Sequence, residues 1–454
     1  MESAQLSYIY NRVGDDWWLG GDRLQFYQLI AQRYQELIAL DYLPKILLAE
    51  SQPNRFLAGF IAAQAASCPV FFGNSNCTDA EWQQVLSLVK PQLIWTDNRE
   101  RQYSPFSAVS YPHAIIAIPT GGSSGKLRFA LHNWDTLTAS ARSFQKYFQL
   151  EQVNSFCVLP VDRIGGLMQF IRSWTSGGKL IIWSFKSLLA GKLPDLNPAE
   201  FTISLVPTQL QRLLEISPNW LSQFQMVLLG GAPGWTELLN AARKHRIPLA
   251  PTYGMTETAS QVATLKPEDF LGGNNSCGQV LPHAEITIGG NSAEMLPPGE
   301  MGIVNIKADS LALGYYPESQ IIAPQFATDD LGYLDAEGYL YIVGRNSQKI
   351  ITGGVNVFPA EVEAAIFATN LVSDVVVIGI PDSYWGEAVT AIYVARSHEV
   401  LPEHLAAAIA STLSKFKQPK HWLNVASLPR NSQGKINQKE LLSLLKPTLD
   451  REGK

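Results

Sequence analysis

Cysteine, excess positive charge and long apolar runs are all scarce in this chain, and each scarcity excludes a class of function. The 454 residues hold four cysteines, Cys68, Cys77, Cys157 and Cys277. None is part of a Cys-x-x-Cys spacing, so neither a disulfide framework nor a structural zinc site is expected, and a reducing cytoplasm is the simplest home. Lys and Arg number 35 against 40 Asp and Glu, a net charge of -5. That balance leaves no electrostatic footprint for nucleic acid or an anionic membrane. The most apolar stretch, Phe56 to Gly73, is interrupted by Gln64, Ser67 and Pro69. It reads as a buried helix followed by a buried strand, and no integral membrane segment is expected. The opening MESAQLSYIYNRVGDDWWLGG has no basic region followed by an apolar core, so no secretory signal is expected. No segment is of low complexity and no internal repeat is visible.

What is present is a globular composition, 46% hydrophobic and 17% charged, with length for two or three domains. From Lys45 to about Gly254, short apolar runs (KILLA, VFF, LIWT, AIIAIPT, SFCVLP, LIIWS, ISLVPT, MVLLGG) alternate with segments of helical character. The alternation predicts α/β layers to about residue 270, with parallel sheets covered by helices. Thr78 and Glu81 form a capping box ahead of WQQVLSLV. Sheets of this kind bind ligands beyond the carboxyl ends of their strands. Over about 271–347 the texture changes to strands with Gly and Pro turns, a mostly antiparallel β subdomain. A helix from Pro359, the strand DVVVIGI, the segment AVTAIYVA and a helix around LPEHLAAAIASTLSKF then form a small α+β module. The boundary is placed at Gln348, dividing 1–347 from 348–454.

The run AIIAIP leads directly into TGGSSGK, residues Thr120, Gly121, Gly122, Ser123, Ser124, Gly125 and Lys126. Glycines let backbone N–H groups approach phosphate oxygens, while hydroxyls and a cation add donors and charge, so a polyphosphate is the natural guest. It is not a Walker A loop: Thr120 stands where that motif has its first glycine, and Leu127 where Ser or Thr would meet magnesium.

Further segments follow in order: Gly230-Gly-Ala-Pro, Tyr253-Gly-Met-Thr-Glu, Gly299-Glu-Met-Gly, Thr328-Asp-Asp-Leu-Gly, Gly344-Arg, Gly353-Gly and Asn431-Ser-Gln-Gly-Lys. In this order the chain resembles the superfamily of acyl-CoA synthetases, peptide-synthetase adenylation domains and luciferases. The resemblance implies a large AMP-binding domain and a small, mobile C-terminal domain. It also implies ATP, magnesium and coenzyme A as co-substrates, with a small carboxylic acid activated as its acyl-AMP. Oligomeric state is left open, a homo-oligomer included.

The resemblance also assigns roles. Thr120 to Lys126 would hold the departing phosphates, Thr256 the α-phosphate, and Glu257 the magnesium. Gly231, Ala232 and Pro233, with Tyr253, Gly254 and Met255, would form the adenine slot. Asp330, in preference to Asp329, would accept the ribose hydroxyls, an acid offering two acceptors to two donors. Arg345 would add a second contact. Lys435 would neutralise charge on the reacting carboxylate and phosphate, before a helix capped by Asn437 with Glu440 three residues on. Gln348 would be the hinge of a domain rotation that brings Gly353, Gly354 and Val355 to a thiol channel.

Within the superfamily, SLVPTQLQRLLE, LLGGAP, YGMTETASQVATL and ITGGVNVFPAEVE resemble the 2-succinylbenzoate:CoA ligases of menaquinone and phylloquinone synthesis. The alternatives are another aryl- or acyl-CoA ligase and a non-catalytic nucleotide-binding homologue. An aromatic diacid of which one carboxylate stays idle needs a partner for that carboxylate. Arg163, whose fork matches a carboxylate, is the candidate, with pairing to Asp162 as the competing reading. His132, Gly254 and Gly278 are further candidate substrate contacts by family position. Leu127 and Arg128 replace the family's usual Pro-Lys, which keeps the charge and alters the bend.

Overall fold

The computed structural model describes residues 12–19, 21–97, 114–121, 127–289, 295–318, 324–382, 384–430, 436–437 and 440–445. The apolar runs form two helix-covered sheets, as their alternation with helical segments requires. The first sheet runs in the order Trp18–Leu19, Leu180–Ile182, Ser155–Cys157, Thr202–Leu205, Met226–Leu229, Leu249–Met255, Ser260–Thr264, Gln279–Val280. Its first six strands are parallel and the last two antiparallel. In the second sheet Ile116–Gly121, Val70–Phe72, Ile46–Ala49 and Leu93–Thr96 are parallel. Leu127–His132 and then Gly314–Tyr316 add to it antiparallel. That last strand crosses from the β-rich segment, a long-range pairing with no local signal in the sequence.

Between the two sheets lie the helices Pro53–Ala65 and Ile164–Ser176. Every residue from Phe56 to Ala65 and from Gly166 to Trp174 is buried, so these helices are apolar on all sides because both faces meet a sheet. Phe60 and Phe170 meet edge to face at 6.4 Å and join them. Each such ring contributes roughly 2–3 kcal/mol by leaving water. The capping box at Thr78 forms as read, with Thr78 N donating to Glu81 Oε2 at 2.9 Å.

Ala284–Gly289, Gly302–Ala308, Phe326–Leu334 and Leu340–Arg345 make a wholly antiparallel third sheet. The chain then passes a short turn, Asn346–Gln348, into a fourth sheet. That sheet runs Val355–Val357, Ile350–Thr352, Gly386–Ala395, Val372–Asp382, with His421–Asn424 beside Gly386–Ala395. The helices Pro359–Ala368 and Pro402–Ile409 pack on it around Val362, Ile366, Leu405 and Ile409. Among the described residues no helix is long and apolar enough to cross a membrane.

Candidate active site

The carboxyl ends of the parallel strands, the third sheet and the small C-terminal unit face one another across a cleft of about 2110 Å³. Thr120 lines it, buried, near the end of the strand Ile116–Gly121, and its hydroxyl has no partner among the described residues. The flanking strands pair as far as Thr120↔Arg128 and Gly121↔Leu127. Gly122, Ser123, Ser124, Gly125, Lys126 and Lys435 lie outside the described residues.

Thr256 and Glu257 sit on the short turn Thr256–Thr258 that follows the strand Leu249–Met255, and both line the cleft. His132 Nε2 lies 2.8 Å from the Thr256 carbonyl, and Ser310 Oγ donates to the Thr258 carbonyl at 2.9 Å. Ser310 Oγ is in turn 2.8 Å from His283 Nε2. One buried imidazole, His132, and one partly buried, His283, thus brace the turn from two sides. Burial pushes both down to about 4, so both are neutral with the proton on Nε2, where the acceptor is. This corrects the reading of His132 as a substrate contact: it is completely buried and acts through the backbone of Thr256.

Glu257 is buried and accepts a 3.0 Å hydrogen bond from Tyr315 Oη. The Arg128 guanidinium stands 4.1 Å over the Tyr315 ring. The charge retained at Arg128 therefore reaches the carboxylate through an aromatic ring that sequence reading did not single out. No cation pairs directly with Glu257 among the described residues. Its carboxylate would therefore fit a hard cation such as magnesium as a single oxygen ligand.

The loop after Met226–Leu229 brings Gly231, Ala232 and Pro233 to the cleft, beside Gly254 and Met255. Only glycine fits at 254, where a Cβ would meet Ser260 O at 2.0 Å across a bulge in the strand pairing. Tyr253 differs from expectation. Its ring is packed among Val262, Ile286 and Val304, away from the cleft wall, and its hydroxyl donates to Asp330 Oδ2 at 2.7 Å. Burial, and then the Asp330 charge, push that phenol up. Asp330 Oδ1 is 3.3 Å from Arg345 Nε across paired strands. The adjacent Asp329 points elsewhere, accepting from Ser347 N at 3.1 Å and from the Ser347 hydroxyl. One acid faces Tyr253 and Arg345, and the other braces the turn that ends at Gln348.

At the other end of the cleft, Arg163 caps the helix Ile164–Ser176 and its Nε is 3.6 Å from Asp162 Oδ2. Both line the cleft, and the pairing with Asp162 is the one present. Asp162 is raised by burial and pulled back by Arg163. The unforeseen residue is Arg172, further along the same helix and only 3% exposed. Its Nη2 donates to Gln261 Oε1 at 2.6 Å and Ser260 Oγ at 3.1 Å, and its Nε has no partner. Burial alone pushes this guanidinium down to about 9. Among the described residues no carboxylate pairs with it, although it lines the cleft. Its sequence signal was a single charge inside the apolar run GGLMQFIRSW.

Gly278, read as a substrate contact, is corrected: it is absent from the cleft wall. It is needed there because a Cβ would lie 1.8 Å from the Thr264 carbonyl carbon. Gly353, Gly354 and Val355 turn the chain between Ile350–Thr352 and Val355–Val357, beside Phe416 and Trp385 and also away from the cleft. Arg430 and Ile436, which flank the segment carrying Lys435, pair with each other and do line the cleft. The helix start at Asn437 is present, Glu440 N donating to Asn437 Oδ1 at 3.4 Å.

The AMP-binding enzyme family matches residues 108–316, and the AMP-binding enzyme C-terminal domain matches 361–435. A 2-succinylbenzoate–CoA ligase of Enterococcus faecalis is 33% identical over 360 residues, 77% of this chain and 74% of that protein. The chain belongs to the AMP-binding enzyme family. Another member, a 2-succinylbenzoate–CoA ligase of Listeria innocua, is 33% identical over 437 residues, 92% of this chain and 86% of its own. The family's fold is shared with o-succinylbenzoate CoA synthetase from Bacillus subtilis in complex with its acyl-adenylate intermediate. The TM-score is 0.84 at 24% identity, over 96% of this chain and 97% of that one. The same B. subtilis enzyme in complex with ATP and magnesium gives a TM-score of 0.81 at 23% identity, covering 96% and 99%. In this AMP-binding enzyme the first matched segment ends with the strand Gly314–Tyr316 that borders the cleft, and the second begins in the helix Pro359–Ala368.

Proposed function

We propose that this AMP-binding enzyme joins 2-succinylbenzoate to coenzyme A, the activity its E. faecalis and L. innocua relatives are named for, and that it does so in two steps, in menaquinone and phylloquinone synthesis. Arg172 is the observation that carries the choice of acid. A buried cation with only neutral partners stabilises a buried anion and disfavours an apolar group, so it selects an acid with a second carboxylate. Arg163 already has Asp162, which leaves it the weaker candidate.

In the first step the reacting carboxylate oxygen bonds to the α-phosphorus of ATP and the bond to the β-phosphate oxygen breaks, releasing pyrophosphate. Two anions approach while charge builds on the phosphoryl oxygens, so donors and cations fixed beforehand lower the barrier. Thr256, on its braced turn, donates to the α-phosphate, and Lys435 supplies the mobile charge. Glu257, oriented by Tyr315, would hold the magnesium, which when bound would supply positive charge to the phosphates. Asp330 and Arg345 hold the ribose. In the second step the thiol sulfur bonds to the acyl carbon, the bond to the phosphate oxygen breaks, AMP leaves and the thiol proton passes to solvent. The small unit, residues 348–454, turns about Gln348 to bring Gly353, Gly354 and Val355 to that thiol. Beside them the exposed rings of Tyr384 and Phe416 offer the adenine of coenzyme A a stacking face.

The test compares pyrophosphate release with 2-succinylbenzoate and with benzoate, each with ATP and magnesium, and then AMP release on adding coenzyme A. The diacid is expected to exceed benzoate by at least about 10-fold in kcat/KM, the worth of one charge-assisted pair. Equal rates would replace the reading with a general aryl-CoA ligase, and no pyrophosphate from either acid would end it.

A further inference from the structure

The small unit touches the large one through two contacts that no motif marks. Trp235, only 9% exposed, stacks on Phe367 with ring centroids 4.8 Å apart and planes at 13°. Arg396 Nη2 lies 3.5 Å from Glu215 Oε1. Trp235 directly follows the Gly230–Gly234 loop of the nucleotide wall and opens the helix Thr236–Lys244. Phe367 lies on the helix Pro359–Ala368 of the small unit. Arg396 belongs to the same body, its backbone N–H donating to Leu371 O at 2.9 Å and its Nε to Val372 O at 3.1 Å. With both contacts made, Arg430 and Ile436 face the cleft and Gly353 and Gly354 do not. Phe367 and Arg396 move together, so turning the small unit about the Gln348 region must separate both pairs.

We propose that the Trp235–Phe367 stack, assisted by Glu215–Arg396, is a latch that holds the small unit in the arrangement for acyl-adenylate formation and sets the partition between the two half-reactions. This rests on the two-step reaction above. Phe367 and Trp235 act as positioning residues and touch no reacting atom. An offset-stacked aromatic pair adds specific stabilisation beyond its buried area. Only one of the two arrangements contains it, so its loss changes their ratio by about 3- to 10-fold. The exposed ion pair adds less, because solvent screens it.

Phe367→Leu keeps the apolar bulk and removes the stack. Acyl-adenylate formation is measured by pyrophosphate exchange, and thioester formation from supplied acyl-adenylate and coenzyme A. Phe367→Leu is expected to slow the first by about 3- to 10-fold and to leave the second equal or faster. Phe367→Trp restores the wild-type ratio, and Arg396→Gln shifts it the same way by less. A merely structural role would lower both half-reactions by one factor, and that result, or failure of Phe367→Trp to restore the ratio, overturns the latch. Energy transfer between labels at Lys186→Cys and Glu399→Cys, both exposed positions, reads the arrangement without chemistry. A second population in Phe367→Leu supports the latch even if the wild type catalyses neither step, which would defeat only the assigned reaction. An unchanged distribution sinks the latch.

Discussion

Arg172 meets Gln261 at 2.6 Å on the floor of the cleft, a buried cation against a neutral amide oxygen. A guanidinium this deep ordinarily has a carboxylate beside it, because its desolvation is otherwise uncompensated. Under the proposed function, the idle carboxylate of the ligand would supply the missing charge.

Replacing Arg172 with Gln should raise KM for 2-succinylbenzoate and lower kcat/KM by about 10- to 100-fold, the worth of one buried charge-assisted pair. Rates with benzoate should change by less than about 3-fold. Arg163→Ala should alter the diacid's KM by no more than about 3-fold, since Asp162 already holds that side chain. Steady-state kinetics with both acids check the pair, and reversed magnitudes would return the role to Arg163.

Tyr315→Phe removes the 3.0 Å hydrogen bond that fixes Glu257 while keeping the ring under Arg128. A rotating carboxylate is a poorer magnesium ligand. The magnesium concentration for half-maximal pyrophosphate release should rise about 3- to 10-fold, in line with the net worth of one ordinary hydrogen bond. An unaltered magnesium titration would mean that Tyr315 does not orient this carboxylate.

Asp330→Asn keeps the shape and removes the charge that faces Arg345 and Tyr253. ATP affinity should weaken by about 10-fold or more, because the ribose loses a charged acceptor and Arg345 loses its partner. Asp329→Asn, two bonds into the hinge turn instead, should leave ATP affinity within about 2-fold. Calorimetric titration of the two variants distinguishes them, and equal losses would refute the division of labour.

Acid should loosen the catalytic turn. His132 and His283 have folded-state values near 4, below the ordinary value of about 6.5. The unfolded chain therefore binds protons that the folded one refuses between pH 6.5 and 4. Their contribution is complete above about pH 6.5 and is lost as pH falls through that window, by roughly 3 kcal/mol for His132 alone. Urea unfolding of the wild type and His132→Gln at pH 5 and pH 7.5 provides the check. The variant should lose less stability on acidification, and parallel losses would count against the buried neutral imidazole.

The order of apolar runs and punctuating motifs was enough to place the α/β layers, the antiparallel segment and the small α+β unit. Hydrophobic periodicity and turn chemistry are local, and each strand reports its own burial. That Thr120, Gly231, Thr256, Glu257 and Asp330 line one cleft was legible for the same reason: glycines, hydroxyls and acids at fixed spacing in a run mark a polar site. Tertiary structure alone decided which of these side chains meet. Tyr315 reaches Glu257 from a strand 58 residues away, Gln261 meets Arg172 across 89, and Phe367 closes on Trp235 from a helix of the small unit. It also moved His132 from substrate to scaffold and turned Tyr253 onto Asp330. Such pairings depend on the path of the folded chain through space. The sequence pattern determined what each segment becomes, and packing between segments determined which charges are compensated and which are left with neutral partners.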